Sequence, residues 1–297
     1  MAQIEVVDLF TYPIKSCAGI SVAESNITRR GLEHDRDFMV VDSENRFLSQ
    51  RTHPELALVV PAIGEKILKL SAPGLADLEV STEVEADRSR LVQATVHKHQ
   101  VWAQPLEEEA SEWFSEYLGE RARLLVQRPE LPNLLPENYQ IEGAANRTGF
   151  ADQFPISLAS IESLRNFNQQ LLASGERPRC VEDVRPNILV AGGEDYAEDY
   201  WRTIKIGAMI AYVGRPCARC VIIENNKSTG KPQPGALKIL AKSRLGIDLT
   251  DGKYRGAFFM QNLNHIYEPD TTITVNDPIQ ILEAADQPNW EPAPKKK

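Results

Sequence analysis

The sequence predicts an α+β, mainly β protein: a β-barrel core, a smaller N-terminal β-barrel-like domain and a few packed helices. Three observations carry this. Short β-branched or aliphatic runs punctuated by Gly, Pro, Asn and Asp recur along the chain. Only a few segments carry helical periodicity. A length of 297 residues favours two domains or one large barrel-like domain over a single small one. Many short strands with few helices fit a barrel with helical decoration, not a doubly wound sheet.

The first part is strand-rich, with "IEVVDLFTY" (4–12), "RDFMVVD" (36–42), "LALVVPAI" (56–63) and "KILKLSA" (66–72). In "PLEEEASEWFSEYLGE" an acidic first turn suits the helix dipole. Ala110, Trp113, Phe114, Tyr117 and Leu118 share one face there, and Gly119 supplies a stop. "ARLLVQ" (122–127) reads as a strand, and the Pro- and Asn-containing segment behind it reads as a loop near the domain junction. We place the N-terminal domain at 1–125, the second domain at 126–286 and a disordered tail, "QPNWEPAPKKK", at 287–297. In "SLASIESLRNFNQQLLASG", Ser160 is a plausible N-cap, Ile161, Leu164, Phe167, Leu171 and Leu172 are the apolar positions, and Gly175 ends the helix. Strands then dominate, namely "NILVAG", "TIKIGAMIAYVG", "CVIIEN", "AFFMQNLNHI" and "TTITVNDPIQILE", interrupted by a short helix, "GALKILAKSR".

Composition excludes several classes. No apolar run reaches the roughly 18–20 residues that cross a bilayer. The start has no basic region followed by a long apolar stretch, so it reads as a first strand, and a cytoplasmic, reducing location with no membrane insertion is expected. A formal net charge of -9 argues against a nucleic-acid polymer as partner, because that binding needs a positive surface. Any anion site must be local.

The four cysteines, Cys17, Cys180, Cys217 and Cys220, are too few and too unevenly spaced for a secreted disulfide scaffold. Cys217 and Cys220 form the C-x-x-C of "RPCARC". A closed zinc site wants four N or S ligands, and there is no second C-x-x-C and no paired His. A thioredoxin-type pair belongs at a helix start, yet "CVIIEN" continues as a β-branched run. Spacing alone leaves two small buried hydrophobes at a strand entrance as the bland reading. The flanking Arg215 and Arg219 shift the balance, because they lie where a phosphate or anionic cofactor could be held. Soft thiolates suit soft metals, so a cofactor carrying both a metal and a phosphate is a candidate.

Four further clusters stand beside this one. Lys15 and Ser16 offer an ammonium and a hydroxyl in a turn. Arg36 sits between Asp35 and Asp37, where a local surface ion pair is the default. Arg185 and Asn187 lead into an apolar strand. Asp152 precedes the capped helix. Each is weak alone; their joint order carries the weight.

That joint order resembles the MOSC-domain family, specifically its two-part members with an N-terminal β-barrel domain, which include the mitochondrial amidoxime reducing component and bacterial counterparts. The resemblance runs through "YPIKSC", "GLEHDRDF", "FLSQRTHPELA", "FADQFPISLASIESL", "VRPNILVAGGEDYAEDYWRTIKIG", "RPCARC" with a following "TG", and "MQNL" before "VNDPIQIL". It implies a molybdenum cofactor (Mo-molybdopterin) in a cleft between the domains, with Cys220 as metal ligand and catalytic residue and Cys217 nearby without ligating. It implies that Lys15, Ser16, Arg36, Asp152, Arg185, Asn187 and Arg219 line the pterin and its phosphate. Gln261 and Asn262 are weaker carry-overs as site-lining amides, and Arg51 weaker still.

The same resemblance implies an oxidoreductase that cleaves N–O bonds of small N-hydroxylated substrates such as amidoximes, hydroxamic acids and hydroxylaminopurines. With no cysteine after Cys220 to hold an iron–sulfur cluster, electrons are expected from a separate ferredoxin, cytochrome b5-like protein or flavoprotein reductase. A non-catalytic molybdenum cofactor or sulfur-carrier binding protein is the alternative. Two departures from the family pattern stand out. Ala218 stands where close relatives often have serine, and "VIIENNKSTG" replaces a threonine-rich stretch.

Overall fold

Strand Glu5–Thr11 pairs antiparallel with both Ile188–Ala191 and Ile20–Val22, so the N-terminal segment is built into the sheet of the second half. The computed structural model describes residues 3–97, 99–128, 130–131 and 133–294. A cut at 125/126 divides the sequence but not the cores. Val6, Leu9, Ile27 and Leu32 pack with Ile156, Leu158, Ile188, Ile204 and Leu263.

The large sheet runs Ile279–Ala284, Trp201–Ile206, Met209–Arg219, Arg255–His265, Ile156–Ser160, Ile188–Ala191, Glu5–Thr11 and Ile20–Val22. Its ends approach each other: Glu5 bridges Pro278, the Val6 amide donates to Asp277 O (2.9 Å) and the Ile279 amide to Ile4 O (2.8 Å). The sheet thereby closes into a barrel, which removes its edges. Its one parallel pairing, Ile156–Ser160 with Ile188–Ala191, needs a crossover connection, which helices α2 (Ile161–Ala173) and α3 (Val181–Val184) provide.

Alternation explains why these strands are apolar on both faces. Leu9, Leu158 and Ile188 point into the barrel, while Phe10, Ala159 and Leu189 point out against Leu164, Phe167 and Leu171 of α2 and Ile239 and Leu240 of α4 (Ala236–Arg244). Ser160 caps α2 as expected, its hydroxyl accepting from the Glu162 and Ser163 amides. Leu172, expected on the apolar face, is 61% exposed; the buried stripe runs through Leu171 and leaves its neighbour outside.

The smaller half has a five-stranded sheet ordered Val92–Val96, His99–Pro105, Ala122–Gln127, Phe38–Asp42 and Ile14–Lys15, and a three-stranded meander of Val60–Ile63, Ile67–Ser71 and Leu78–Ser81. Helix α1 (Glu108–Leu118) closes the core with Trp113 and Phe114, and Gly119 ends it at φ 69°, a left-handed conformation that costs glycine nothing.

Three expectations are corrected. "CVIIEN" is not a strand: the strand precedes it as Met209–Arg219, and Val221–Glu224 is a 3-10 turn. The start of "LALVVPAI" is likewise a 3-10 turn, Pro54–Leu58, which its proline initiates. The segment 287–297 is not a disordered tail over its described part. Trp290–Pro292 is a strand on Leu245–Asp248, Trp290 is 8% exposed, and its indole N–H donates to Asp199 Oδ2 (3.0 Å). One aromatic anchor outweighs a polar, proline-rich composition. Residues 295–297 of that call lie outside the described residues.

Beneath α2, Glu198 is buried, accepts one hydrogen bond from Ser163 Oγ (2.9 Å), and its Oε1 has no partner among the described residues. Burial foremost, with the neighbouring Asp199 charge, pushes its carboxyl up to about 7. The folded protein therefore keeps a proton that the unfolded chain releases, and stability from this group is lost as pH rises from the ordinary carboxylate range to about 7. Each unit of displacement is worth roughly 1.4 kcal/mol. Chemical denaturation across pH 5 to 8 should show a falling midpoint, and Glu198→Gln should flatten that fall.

Candidate functional site

A cleft of about 580 Å³ lies between the two halves, lined from the smaller one by residues such as Ser16, Phe47 and His97 and from the barrel by Cys217, Cys220 and Asn262. Of the ten site residues named from sequence, Lys15, Ser16, Arg36, Asp152, Arg185, Asn187, Arg219, Cys220 and Asn262 all line it. Segments far apart in the chain converge because strand Glu5–Thr11 delivers Lys15 and Ser16 to the same rim where Met209–Arg219 ends and Cys220 begins.

Arg36 is held from below. Asp35, 1% exposed at its side chain, pairs with the Arg36 guanidinium and accepts from the Tyr12 amide (3.0 Å) and from Asn187 Nδ2 (2.9 Å). Asn187 Oδ1 accepts from Arg36 (3.0 Å), the Ser157 amide (3.0 Å) and the Ser157 hydroxyl (3.0 Å), while its Nδ2 also donates to Phe10 O (3.1 Å). Both amide protons and the carbonyl of Asn187 are thus spent on protein. It reaches the cleft wall but acts by fixing Arg36, not by offering free bonds to a ligand. The surface ion pair expected at Arg36 is in fact a buried one.

Lys15, 7% exposed, pairs with Asp152, which also accepts from His97 Nε2 (3.1 Å) and lies 4.0 Å from Arg51. Burial raises the Asp152 carboxyl, but the Lys15 charge and the His97 bond more than reverse this and hold it well below the usual range, so it is ionised. Gly149 lets this loop approach: a Cβ there would meet Arg36 O at 2.8 Å and Asp35 O at 2.9 Å.

Arg185 and Arg219 differ from these. Among the described residues neither has a carboxylate partner. Arg185 stacks on Tyr12 (4.2 Å) and donates to Cys17 O (2.7 Å). Burial, augmented by the like charge of Arg36, lowers its guanidinium to about 10, a cost that a bound anion would relieve. Arg219 donates to Val184 O (2.8 Å) and to Cys217 Sγ (3.3 Å), and its Nε is buried without a partner. Both cations are available to an anion.

Cys220 lies at the N-terminal edge of the 3-10 turn, partly exposed to the cleft, and Cys217 lies at the strand's end with one side against the α2–α4 core. Cys17 is sealed in the smaller core, where burial pushes its thiol up to about 12. Cys180 is at the surface. No group of three or more His, Cys, Asp or Glu among the described residues is placed to hold a metal ion, so the zinc reading loses its ligands.

Two sequence assignments change. Gln261 points away from the cleft: its side chain is fully buried, donating to Asp199 Oδ1 (2.7 Å) and accepting from Asn289 (2.6 Å). Alternation along Arg255–His265 sends Asn262 to the cleft and Gln261 to the opposite face. Arg215, expected to hold an anion beside Arg219, is 2% exposed, pairs with Asp248 (2.9 Å), donates to Gln153 (2.9 Å) and stacks on Tyr254 (3.8 Å). Its charge is already neutralised. Sequence reasoning passed over Phe47, Gln50, His97 and Tyr254, which also line the cleft. "TVHKHQVW" reads as an ordinary hairpin, and nothing local shows that its turn reaches Asp152.

The chain matches the MOSC N-terminal beta barrel domain over residues 3–121 and the MOSC domain over residues 145–280. It is 30% identical over 286 residues to mitochondrial amidoxime-reducing component 1 of Mus musculus, spanning 93% of this chain and 82% of that one. The chain belongs to the MOSC family. It is also 28% identical over 252 residues to the molybdenum cofactor sulfurase of Homo sapiens, covering 80% of this chain but only 28% of that protein. Mitochondrial amidoxime reducing component 2 of Bos taurus is 29% identical over 238 residues, 76% of this chain and 67% of that one. In this MOSC protein the cleft draws on both matched regions, Lys15, Ser16 and Arg36 from the first and Asp152 to Asn262 from the second. No helix among the described residues is long and apolar enough to cross a membrane.

Because backbone oxygens of residues 35 and 36 oppose any side chain at 149, Gly149→Ala should cost about 1–3 kcal/mol in denaturant unfolding. Gly64→Ala, where a Cβ would meet only Ile67 O at an ordinary 3.7 Å, provides the surface control.

Proposed function

We propose that this MOSC protein is a molybdenum-cofactor-dependent oxidoreductase that reduces N-hydroxylated compounds with electrons from a separate donor. The observation that carries the reading is the donor set of the cleft: the Cys220 thiol shares one cavity with the buried guanidinium of Arg185 and with that of Arg219, neither of which has a carboxylate partner among the described residues, the latter with a buried N–H that has no acceptor among them. A soft thiolate at one end and bidentate cations at the other suit a ligand with a soft metal and a phosphate. The residues present fit the molybdenum cofactor.

Cys220 would hold the metal, and Arg185 and Arg219, with Ser16, would hold the phosphate. When bound, the cofactor supplies a metal centre able to pass two electrons. Asp35 and Asn187 fix Arg36 at the cleft wall, where it would meet the pterin, and Lys15, tethered by Asp152, would add charge without swinging into solvent. The walls displace water from the anion, so each charge-assisted bond counts for more than at a surface. The net reaction consumes two electrons and two protons, converting R–NH–OH to R–NH2 and water. The donor would be a ferredoxin, a cytochrome b5-like protein or a flavoprotein reductase. The relatives named molybdenum cofactor sulfurase keep a second reading in view, that of a non-catalytic cofactor or sulfur-carrier module.

Protein produced in a cofactor-competent host should contain near-stoichiometric molybdenum and reduce benzamidoxime with a chemical electron donor. Cys220→Ala should lower metal content at least tenfold and abolish reduction, while Cys217→Ala should retain the metal. Full metal occupancy in Cys220→Ala would refute the ligand assignment. Cofactor bound without reduction of any N-hydroxylated compound would select the carrier reading.

A further inference from the structure

The proposed reaction needs protons as well as electrons, and the mouth of the cleft carries a histidine, bonded to Asp152, that stands outside the set assigned to the cofactor. His97 sits in the turn between Val92–Val96 and His99–Pro105, with its side chain 38% exposed and lining the cleft. Its Nε2 is 3.1 Å from Asp152 Oδ1, and Asp152 in turn pairs with buried Lys15. Phe47 fixes the geometry from the side, meeting the His97 ring edge-on at 5.9 Å and carrying the Lys15 ammonium 4.8 Å above its face. His97 stands at φ 54° in a two-residue turn between the paired Val96 and His99, the conformation such hairpin turns require.

We infer that His97 is the proton donor of the reductive cleavage, oriented by Asp152, which makes it a catalytic residue at the mouth of the cleft. The inference rests on the reductase reading. Since Asp152 is ionised, Nε2 keeps its proton and donates to the carboxylate, leaving Nδ1 as the site that gains and releases a proton. In the step, the N–O bond breaks as two electrons arrive from the donor protein. The departing oxygen takes the Nδ1 proton and leaves as water, and the nitrogen takes the second proton from solvent. Exposed His97 is then reprotonated from solvent. The charged and titratable groups facing it are Asp152, Lys15 and Arg51 from the neighbouring elements and His99 from its own hairpin.

The test compares wild-type protein, His97→Gln and His97→Ala, each loaded with cofactor and assayed on benzamidoxime from pH 5.5 to 8.5. His97→Gln should lower kcat about 100-fold with KM within about threefold and unchanged molybdenum content, and should remove the decline in kcat on the alkaline side. Added imidazole should restore activity to His97→Ala. Independently of activity, the imidazole nitrogen shifts of His97 in cofactor-free protein, read by NMR, should report the Nε2–H tautomer in wild type and lose that preference in Asp152→Asn. An active wild type with unchanged kcat and pH profile in His97→Gln overturns the inference alone. A His97 tautomer preference indifferent to Asp152→Asn overturns the orienting role. A cofactor-loaded wild type that reduces no N-hydroxylated compound overturns the functional reading and the inference with it.

Discussion

The carboxylate of Asp35 is the interaction on which the rest of the site depends. It is sealed from water, yet three segments bond to it: Tyr12 at the end of the first barrel strand, Arg36 beside it, and Asn187 at the start of the neighbouring strand. Burying a charge costs several kcal/mol unless it is paired and its lone pairs are satisfied, and removing one partner of such a group is correspondingly destabilising. Asp35 meets that requirement only if the smaller half and the barrel are docked in one arrangement, since Tyr12 and Asn187 directly flank the barrel strands Glu5–Thr11 and Ile188–Ala191 and Arg36 leads into Phe38–Asp42 of the other sheet. The floor of the cleft is therefore set by satisfaction of one buried anion.

Charge in the cleft follows from the same accounting. The chain carries a net charge of -9, yet the cavity wall is rich in cations. Acidic residues are spent selectively: Asp35 on Arg36, Asp152 on Lys15, Asp248 on Arg215. Arg185 and Arg219 are left to main-chain carbonyls and a sulfur, partners that satisfy hydrogen bonds without cancelling charge. A locally positive cavity inside a globally acidic protein favours a small anion over a polyanion, because long-range repulsion from the acidic surface is screened within about 10 Å while the buried cations are not.

Much of the fold was legible in the sequence because strand alternation and helix caps are local: the Ser160 cap, the Gly119 stop and most strand positions are where their residues indicate. The cleft membership of nine of the ten named residues was legible through the joint order of the motifs. What was illegible is non-local. Composition cannot show that the first strand crosses into the second half's sheet, or that Trp290 docks on Asp199. Nor can residue type separate Asn262 from Gln261, which differ only by the face of a strand, or Arg219 from Arg215, whose roles depend on whether a carboxylate 33 positions downstream, Asp248, folds back. His97 was invisible for the same reason, its partner Asp152 being 55 positions away.

The backbone shows where stability is given up to hold the site. Ser16, Arg36, His97, Arg185 and Met260 line the cleft at φ values of 72°, 54°, 54°, 58° and 78°, a region in which non-glycine residues cost of order 1–3 kcal/mol. Three are pinned by identifiable bonds. Gln50 donates to Ser16 O; the Arg36 amide donates to Tyr12 O (2.9 Å) while its carbonyl accepts from Phe150 (2.8 Å); the Arg185 amide donates to Val181 O (2.8 Å). Met260 lies in Arg255–His265, opposite the stretch of Met209–Arg219 where the pairing register slips between Pro216 and Ala218. Glycine would relieve the backbone at each position, but it would remove the hydroxyl and both guanidiniums from the wall. The strain is what this chain tolerates to present charged side chains from turns that glycine would otherwise fill; the same conformation also occurs away from the cleft, at His34, Asn45, Asn146, Tyr196, Asp270 and Asn276, so it is the side chains carried on it, and not the strain itself, that mark the rim as shaped for a ligand.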